Sequence, residues 1–351
     1  MSRAGLRSRV VAFVAVSLVC VAGAGAYAAQ ALAERRDELA APPRSPQVAA
    51  DRYAGEPRLV FRNTEIGASF GLVASVPLED PRAPRAVSDV ACDRVDATAR
   101  VVSCLRTERG VVTKYAWLEL AADLAQRRRA PLTGTPSRTR LSPDGRLASS
   151  TVFVAGHAYM QVGFSTATVV RRVGGGSLGN LEDFGLVVDG RRVAPRDRNV
   201  WGVTFADDDR TFYATVATGG VPYLVRGDLE ERTLTSVQPG AECPSLSPDG
   251  SRVAYKIDRD PGAGTDWTLG VLDLDSGRTT RLDVGPSSVD DQAEWLDDET
   301  LLYGLARTGA PGETDVWSLG TRPGSEPRLY LRDAWSPSVV TGTTGTTGRS
   351  S

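Results

Sequence analysis

One histidine, His157, decides first which chemistries are open to this chain. Multi-histidine zinc sites are impossible, and any Ser-His-Asp relay must run through this side chain. It lies in Val154-Ala-Gly-His-Ala-Tyr-Met160, a strand-like context with no base or nucleophile at a telling spacing. A hydrogen-bonded strand histidine is the expectation. Asp207-Asp208-Asp209 and the cluster Asp290, Asp291, Glu294, Asp297, Asp298 and Glu299 supply the hard oxygens that Ca²⁺ takes. Neither has the ligand spacing of a calcium loop, and Asp273-Leu-Asp-Ser-Gly277 continues wrongly for one. Solvated turns are expected for all of them. Gly174-Gly-Gly-Ser-Leu-Gly179 lacks the Lys-Ser/Thr ending and the helix that phosphate cradling needs. Trp201, Trp267, Trp295, Trp317 and Trp335 recur near strand positions, which reads as core packing, with a sugar-stacking face as the alternative. No catalytic residue, metal or cofactor is expected from these sets.

The chain has 351 residues, 41 basic against 43 acidic side chains and a net charge of −2. That balance excludes a general nucleic-acid binder, which needs a basic surface to neutralise phosphates.

Residues Val10 to Ala33 carry no charge and suffice to cross a hydrocarbon core of roughly 30 Å as a helix. Arg3, Arg7 and Arg9 precede the run, and Arg35 and Arg36 follow among acidic residues. The positive-inside rule favours a cytoplasmic N-terminus and an exported body. A cleaved signal peptide is the rival, with Ala26-Tyr-Ala28 and Ala31-Leu-Ala33 as cleavage patterns. Lipidation at Cys20 is disfavoured by the bulk of Val19. The organisation expected is therefore a basic cytoplasmic N-terminus (1–9), a transmembrane signal-anchor helix (10–33), a spacer (34–57), a body (58–340) and a disordered tail (341–351). The body would sit outside the cytoplasm, on the cell membrane or secreted.

In an exported body Cys92 and Cys104 are expected to form a disulfide, two buried free thiols being the alternative. A hairpin turn centred on Thr98 would set the two residues directly opposite each other. Cys243 reads as a buried small hydrophobe.

The elements that must position all these residues come from a repeat. Leu141 is followed by Ser142, Pro143, Asp144 and Gly145, then by an apolar run from Leu147. Leu246 is followed by Ser247, Pro248, Asp249 and Gly250, then by Val253-Ala-Tyr255. Degenerate copies run through Asp207, Asp208 and Asp209, and through Asp297 and Asp298. Proline pre-sets the turn, aspartate caps it, and glycine tolerates positive φ. The flanking runs alternate with period two, as Val253, Tyr255 and Ile257 do. A second hairpin follows each unit, so each cycle supplies four meandering strands, the content of one propeller blade.

The strands after the turn begin near Arg58, Val101, Leu147, Phe212, Val253 and Leu301, at intervals of 43, 46, 65, 41 and 48 residues. Six starts imply six blades. The long interval holds Gly174 to Gly179 and Leu186 to Gly190, read as an inserted hairpin or loop. The segment Arg58, Leu59, Val60 and Phe61 has no turn unit before it. Trp335 to Val340, with Ser338 and Val339, resembles a first strand with no blade after it. These ends are expected to share one blade and so close the ring.

This SPDG-turn-strand repeat resembles the TolB-like, WD40-like β-propeller family over about residues 58 to 340. With its anchor and cysteine pair, the whole chain looks like the membrane-anchored TolB-like proteins of actinobacteria. The resemblance implies an all-β, six-bladed propeller of four-stranded antiparallel blades behind one N-terminal transmembrane or signal helix. In TolB itself an α/β domain precedes the propeller; here a membrane segment and spacer occupy that place. The function expected is a non-enzymatic extracytoplasmic scaffold that binds a cell-envelope protein or peptide through the loops joining successive blades. A propeller hydrolase or lactonase and a carbohydrate-binding module are the alternatives.

Overall fold

The computed structural model describes residues 3–154, 165–261 and 266–342. His157 and most of the C-terminal tail lie outside the described residues.

Six sheets, each built on four antiparallel strands, follow one another along the chain as a six-bladed β-propeller. Blade two is built from Arg94–Ala97, Val101–Glu108, Lys114–Ala121 and Gln126–Leu132, in that order from the axis outward. Blade three uses Thr135–Leu141, Leu147–Val154, Ser165–Arg172 and Ser177–Asn180. Blade four uses Asn199–Phe205, Thr211–Thr218, Val221–Asp228 and Thr233–Pro239. Blade five uses Glu242–Leu246, Arg252–Asp258, Trp267–Asp273 and Thr279–Arg281. Blade six uses Glu294–Asp297, Thr300–Ala306, Thr314–Gly320 and Arg328–Leu331.

Blade one joins the two ends of the chain. Its innermost strand is Ala334–Val340, paired antiparallel with Arg58–Asn63, followed by Leu72–Pro77 and Arg85–Ala91. The register sets Arg58 against Val340, Leu59 against Val339 and Val60 against Ser338, with a shift before Arg62 meets Trp335. Leu59, Val60, Phe61 and Val340 are buried there. No inner edge of the ring is left open where the chain ends meet.

The two clean turns are built around serine rather than aspartate alone. Ser142 Oγ accepts from the N–H groups of Arg146 (3.1 Å) and Leu147 (2.9 Å) and donates to Asp144 (2.7 Å). Ser247 repeats this, accepting from Arg252 N–H at 3.0 Å and donating to Asp249 at 2.5 Å. Gly145 and Gly250 supply the positive φ, at 74° and 72°. In the degenerate copy Asp208 takes over both roles, accepting from Arg210 (3.0 Å) and Thr211 (2.6 Å), and Asp209 adopts φ 55°. The turns also link neighbouring blades: Arg146 reaches Asp209 at 3.0 Å, and Asp298 accepts from the N–H of Asp249 at 3.0 Å.

Apolar faces pack between blades. Phe184, Phe205 and Phe212 form one such core, the first and last meeting edge-on at 6.5 Å. Gly227 is needed beside them, because a Cβ there would lie 2.1 Å from the Phe212 ring. The long interval does contain an insertion, but Gly174 to Gly179 is not part of it. Gly174 to Gly176 form the tight turn before the outer strand of blade three, and Ser177 to Gly179 lie in that strand. The insertion is a short 3-10 turn (Leu181–Asp183) and the hairpin Gly185–Val188 and Arg191–Val193, which extends blade four at its outer edge.

Helix α1 (Arg3–Ala40) carries the apolar run and is long and apolar enough to cross a membrane. It continues seven residues past Ala33. Beyond it, Gln47–Val48 pairs in parallel with Arg85 and Ala86, adding a short fifth strand to blade one. Cys92 and Cys104 are bonded, with Cα atoms 5.5 Å apart, though not as facing hairpin residues. The hairpin turns at Thr98 to Val101, centred between Ala99 and Arg100 rather than on Thr98, so its register pairs Cys104 with Val95. Cys92 precedes that strand, and its N–H donates to Gly71 O at 3.1 Å. The bond therefore stitches the outer end of blade one to the second strand of blade two. The apolar helix fits a signal or an anchor, and the disulfide is consistent with an extracytoplasmic location.

Candidate functional site in the central channel

The innermost strands carry an unusual load of charge around the ring axis. Arg140 of blade three forms an ion pair with Glu294 of blade six, which faces it across the axis, and lies 3.4 Å from Asp96 of blade two. Asp96 accepts from Leu141 N–H at 2.6 Å and from the Ser338 hydroxyl at 2.9 Å. Glu294 also accepts from Val339 N–H at 3.0 Å. This inner group thus links blades one, two, three and six, and the closing strand residues Ser338 and Val339 belong to it.

Nearer the end where the blades are joined to one another, Arg94 pairs with Asp291 at 3.0 Å and stacks over Trp335, 5.0 Å from its ring centre. Arg138 donates to the Asp290 carbonyl at 2.9 Å. Lys256 is buried, lies 3.7 Å above the Trp267 ring and reaches Asp290 at 3.2 Å. Gln292 donates to Val203 O and Pro244 O, tying blade six to blades four and five.

Burial sets the electrostatics. It lifts the Glu294 carboxyl to about 7, with Arg140 opposing and Asp96 adding to the rise. It lowers Arg94 to about 10, Arg138 adding its repulsion and Asp291 resisting. Arg140 is held above its ordinary value because Glu294 and Asp96 outweigh the cost of burial. The cavity between Arg94, Arg138, Arg140, Asp291 and Ser336 is about 20 Å³, room for one water. Asp291 Oδ2 and the Nε atoms of Arg138 and Arg140 are buried there without a protein partner, as a bridging water would require.

The expectation of solvated turns is corrected for two residues. Asp291 is buried, and Glu294 is packed against Arg140, because both belong to the segment entering the innermost strand of blade six. Asp207, Asp208, Asp209, Asp298 and Glu299 do lie in turns, at the opposite end of the ring, and Asp297 ends the strand that enters the last of them. The two sets are not brought together. Among the described residues no group of three or more His, Cys, Asp or Glu is arranged to hold a metal ion. Trp117, Trp201 and Trp295 are buried in the blades, while Trp267, Trp317 and Trp335 are half-buried. Sequence reasoning missed Arg94, Asp96, Arg138, Arg140 and Lys256. One signal was present: Arg138 and Arg140 alternate just before the Ser142 turn, on one face of a strand that must line the axis.

No protein-family model and no curated protein matches the chain. Among solved structures it is similar to TolB from Acinetobacter baumannii, at 14% identity over 81% of this chain and 66% of that one, with a TM-score of 0.54. A protein of Agrobacterium tumefaciens provisionally described as TolB matches at 9% identity over 80% and 90%, with a TM-score of 0.50. The periplasmic gluconolactonase of Pseudomonas aeruginosa superposes more loosely, at 14% identity over 82% and 99%, with a TM-score of 0.46. The fold is thus shared with TolB, and likeness at these identities concerns the fold alone.

Proposed function

We propose that this chain is a non-enzymatic, membrane-anchored scaffold of the TolB-like kind. Its propeller lies outside the cytoplasm and binds a protein or peptide of the cell envelope at the channel mouth. The observation that supports this reading is the state of the channel itself. Its charged side chains are mostly engaged with one another around a cavity of about 20 Å³, whereas small-molecule sites run to roughly 300–1,000 Å³. That cavity is too small for a substrate, while a surface-bound partner needs none. The blade-five-to-six connection offers such a partner exposed Ser287 and Asp290 beside half-buried Trp267.

The purified full chain tests the non-enzymatic half. It is expected to hold no stoichiometric metal and to turn over no ester or lactone in a broad panel. Turnover that tracks metal content would favour a propeller hydrolase instead.

A further inference from the structure

Helix α1 does not end in a free linker. Ala41 O accepts from Ala68 N–H at 3.0 Å, and Arg35 stacks over the Phe70 ring at 5.6 Å. Arg44 pairs with Glu313 at 2.7 Å and with Glu65. Glu65, Ala68 and Phe70 lie in the loop between the second and third strands of blade one, and Glu313 in the corresponding loop of blade six. The helix is therefore seated on the face of the ring that carries these loops.

The corresponding loop of blade two, on the same face, is Arg109-Gly-Val-Val-Thr-Lys114. Val111 and Val112 stand fully and 70% exposed at its tip. The other exposed large apolar side chains of the described propeller reach 43% at most. The loop itself carries Arg109 and no anion, and Lys114, the first residue of the following strand, stands opposite Glu108. The loop also adjoins the helix seat: Arg62 stacks over Phe70 at 4.9 Å, and Arg62 is lowered chiefly by burial, with Arg109 close enough to add repulsion. Helical residues 34–40 rise about 10 Å beyond the apolar run. The headgroup zone on each side of a bilayer is roughly 5–8 Å thick. A propeller held that close brings its seated face to the lipid surface.

We propose that the Arg109–Lys114 loop is a second membrane contact, with Val111 and Val112 inserted among anionic headgroups beside the α1 anchor. This rests on the uncleaved-anchor reading. Two valines flanked by cations have the chemistry of an interfacial wedge: apolar area enters the headgroup boundary while the cations meet lipid phosphates. The consequence is a tilted ring, with the rim of blades one and two on the bilayer. The channel mouth on that face then opens toward partners at the membrane surface.

The test uses the full chain, with Cys20→Ser, in vesicles of phosphatidylglycerol and phosphatidylcholine. An environment-sensitive fluorophore is attached at Val112→Cys or, on the opposite face, at Asp275→Cys. The expected result is blue-shifted emission at Val112→Cys that lipid-borne nitroxides quench, with Asp275→Cys unaffected. The quenching should fall in pure phosphatidylcholine and in an Arg109→Glu/Lys114→Glu variant. Anchored protein with no quenching at Val112→Cys overturns the contact alone. Protein that lacks its N-terminal mass and leaves the vesicles overturns the anchor reading, and the contact with it.

Discussion

Arg140 of blade three and Glu294 of blade six meet as an ion pair across the ring axis, each on the innermost strand of its blade. Buried charges of this kind are costly to orphan, because the remaining partner keeps its desolvation penalty. Arg140→Met strands both Glu294 and Asp96. It is expected to destabilise the propeller by about 3–5 kcal/mol, read from urea midpoints. Adding Glu294→Met should restore part of the loss. Equal midpoints for Arg140→Met and wild type would show that the pair is not formed.

Ring closure depends on the strand Ala334–Val340. Removing Trp335 to Val340 exposes the edge of Arg58–Asn63 and frees Asp96 and Glu294 from Ser338 and Val339. A sharply lower melting temperature is expected by calorimetry, and an unchanged melting curve would count against closure.

The disulfide links blades one and two rather than the arms of one hairpin. Cys92→Ser/Cys104→Ser is expected to lose about 2–4 kcal/mol of stability. Amide exchange should rise at both Ala91 and Val102 if the bond joins the blades. A rise confined to the Thr98 turn would contradict it.

Glu182 predicts a pH dependence. Burial lifts its carboxyl from the ordinary 4.5 to about 7, against hydrogen bonds from Thr168, Thr166 and Val200. The folded state therefore holds its proton more tightly than the unfolded chain. Between about pH 4.5 and 7 the folded form carries the extra proton, so this residue's contribution falls as pH rises and levels off above 7. The change is on the order of 3 kcal/mol. Asp208 and Asp249 act the other way, since their lowered values favour the fold until pH drops through them, below the ordinary 3.8. Urea midpoints for wild type should fall between about pH 4.5 and 7. In Glu182→Gln that slope should flatten, and a slope equal to wild type would remove Glu182 as its source.

Much of this fold was legible because its signals are local. The Ser-Pro-Asp-Gly turns at 142–145 and 247–250, the period-two strands and the spacing of starts count the blades without any long-range contact. The apolar run and the unmatched Arg58 and Trp335 segments give the long apolar helix and the closure. What lay beyond reach is what forms only when the ring closes. Glu294 looks like one more acidic residue of a turn until Arg140 arrives from 154 positions away. Cys92 and Cys104 pair as expected, but the residue facing Cys104 depends on where the chain passes from one blade to the next. The seat of α1 against Phe70 and Glu313 is equally a product of tertiary proximity.

In the function we propose, the channel mouth, not an enclosed pocket, receives a partner. The most direct test is a photo-crosslinking residue at Ser287, on the connection from blade five to blade six, in the full chain in living cells. Asp275, at the opposite end of the ring, serves as the control position. One recurrent envelope-protein adduct is expected at Ser287 and none at Asp275. Equal crosslinking at both positions, or none at Ser287 with the protein present in the membrane, would contradict it.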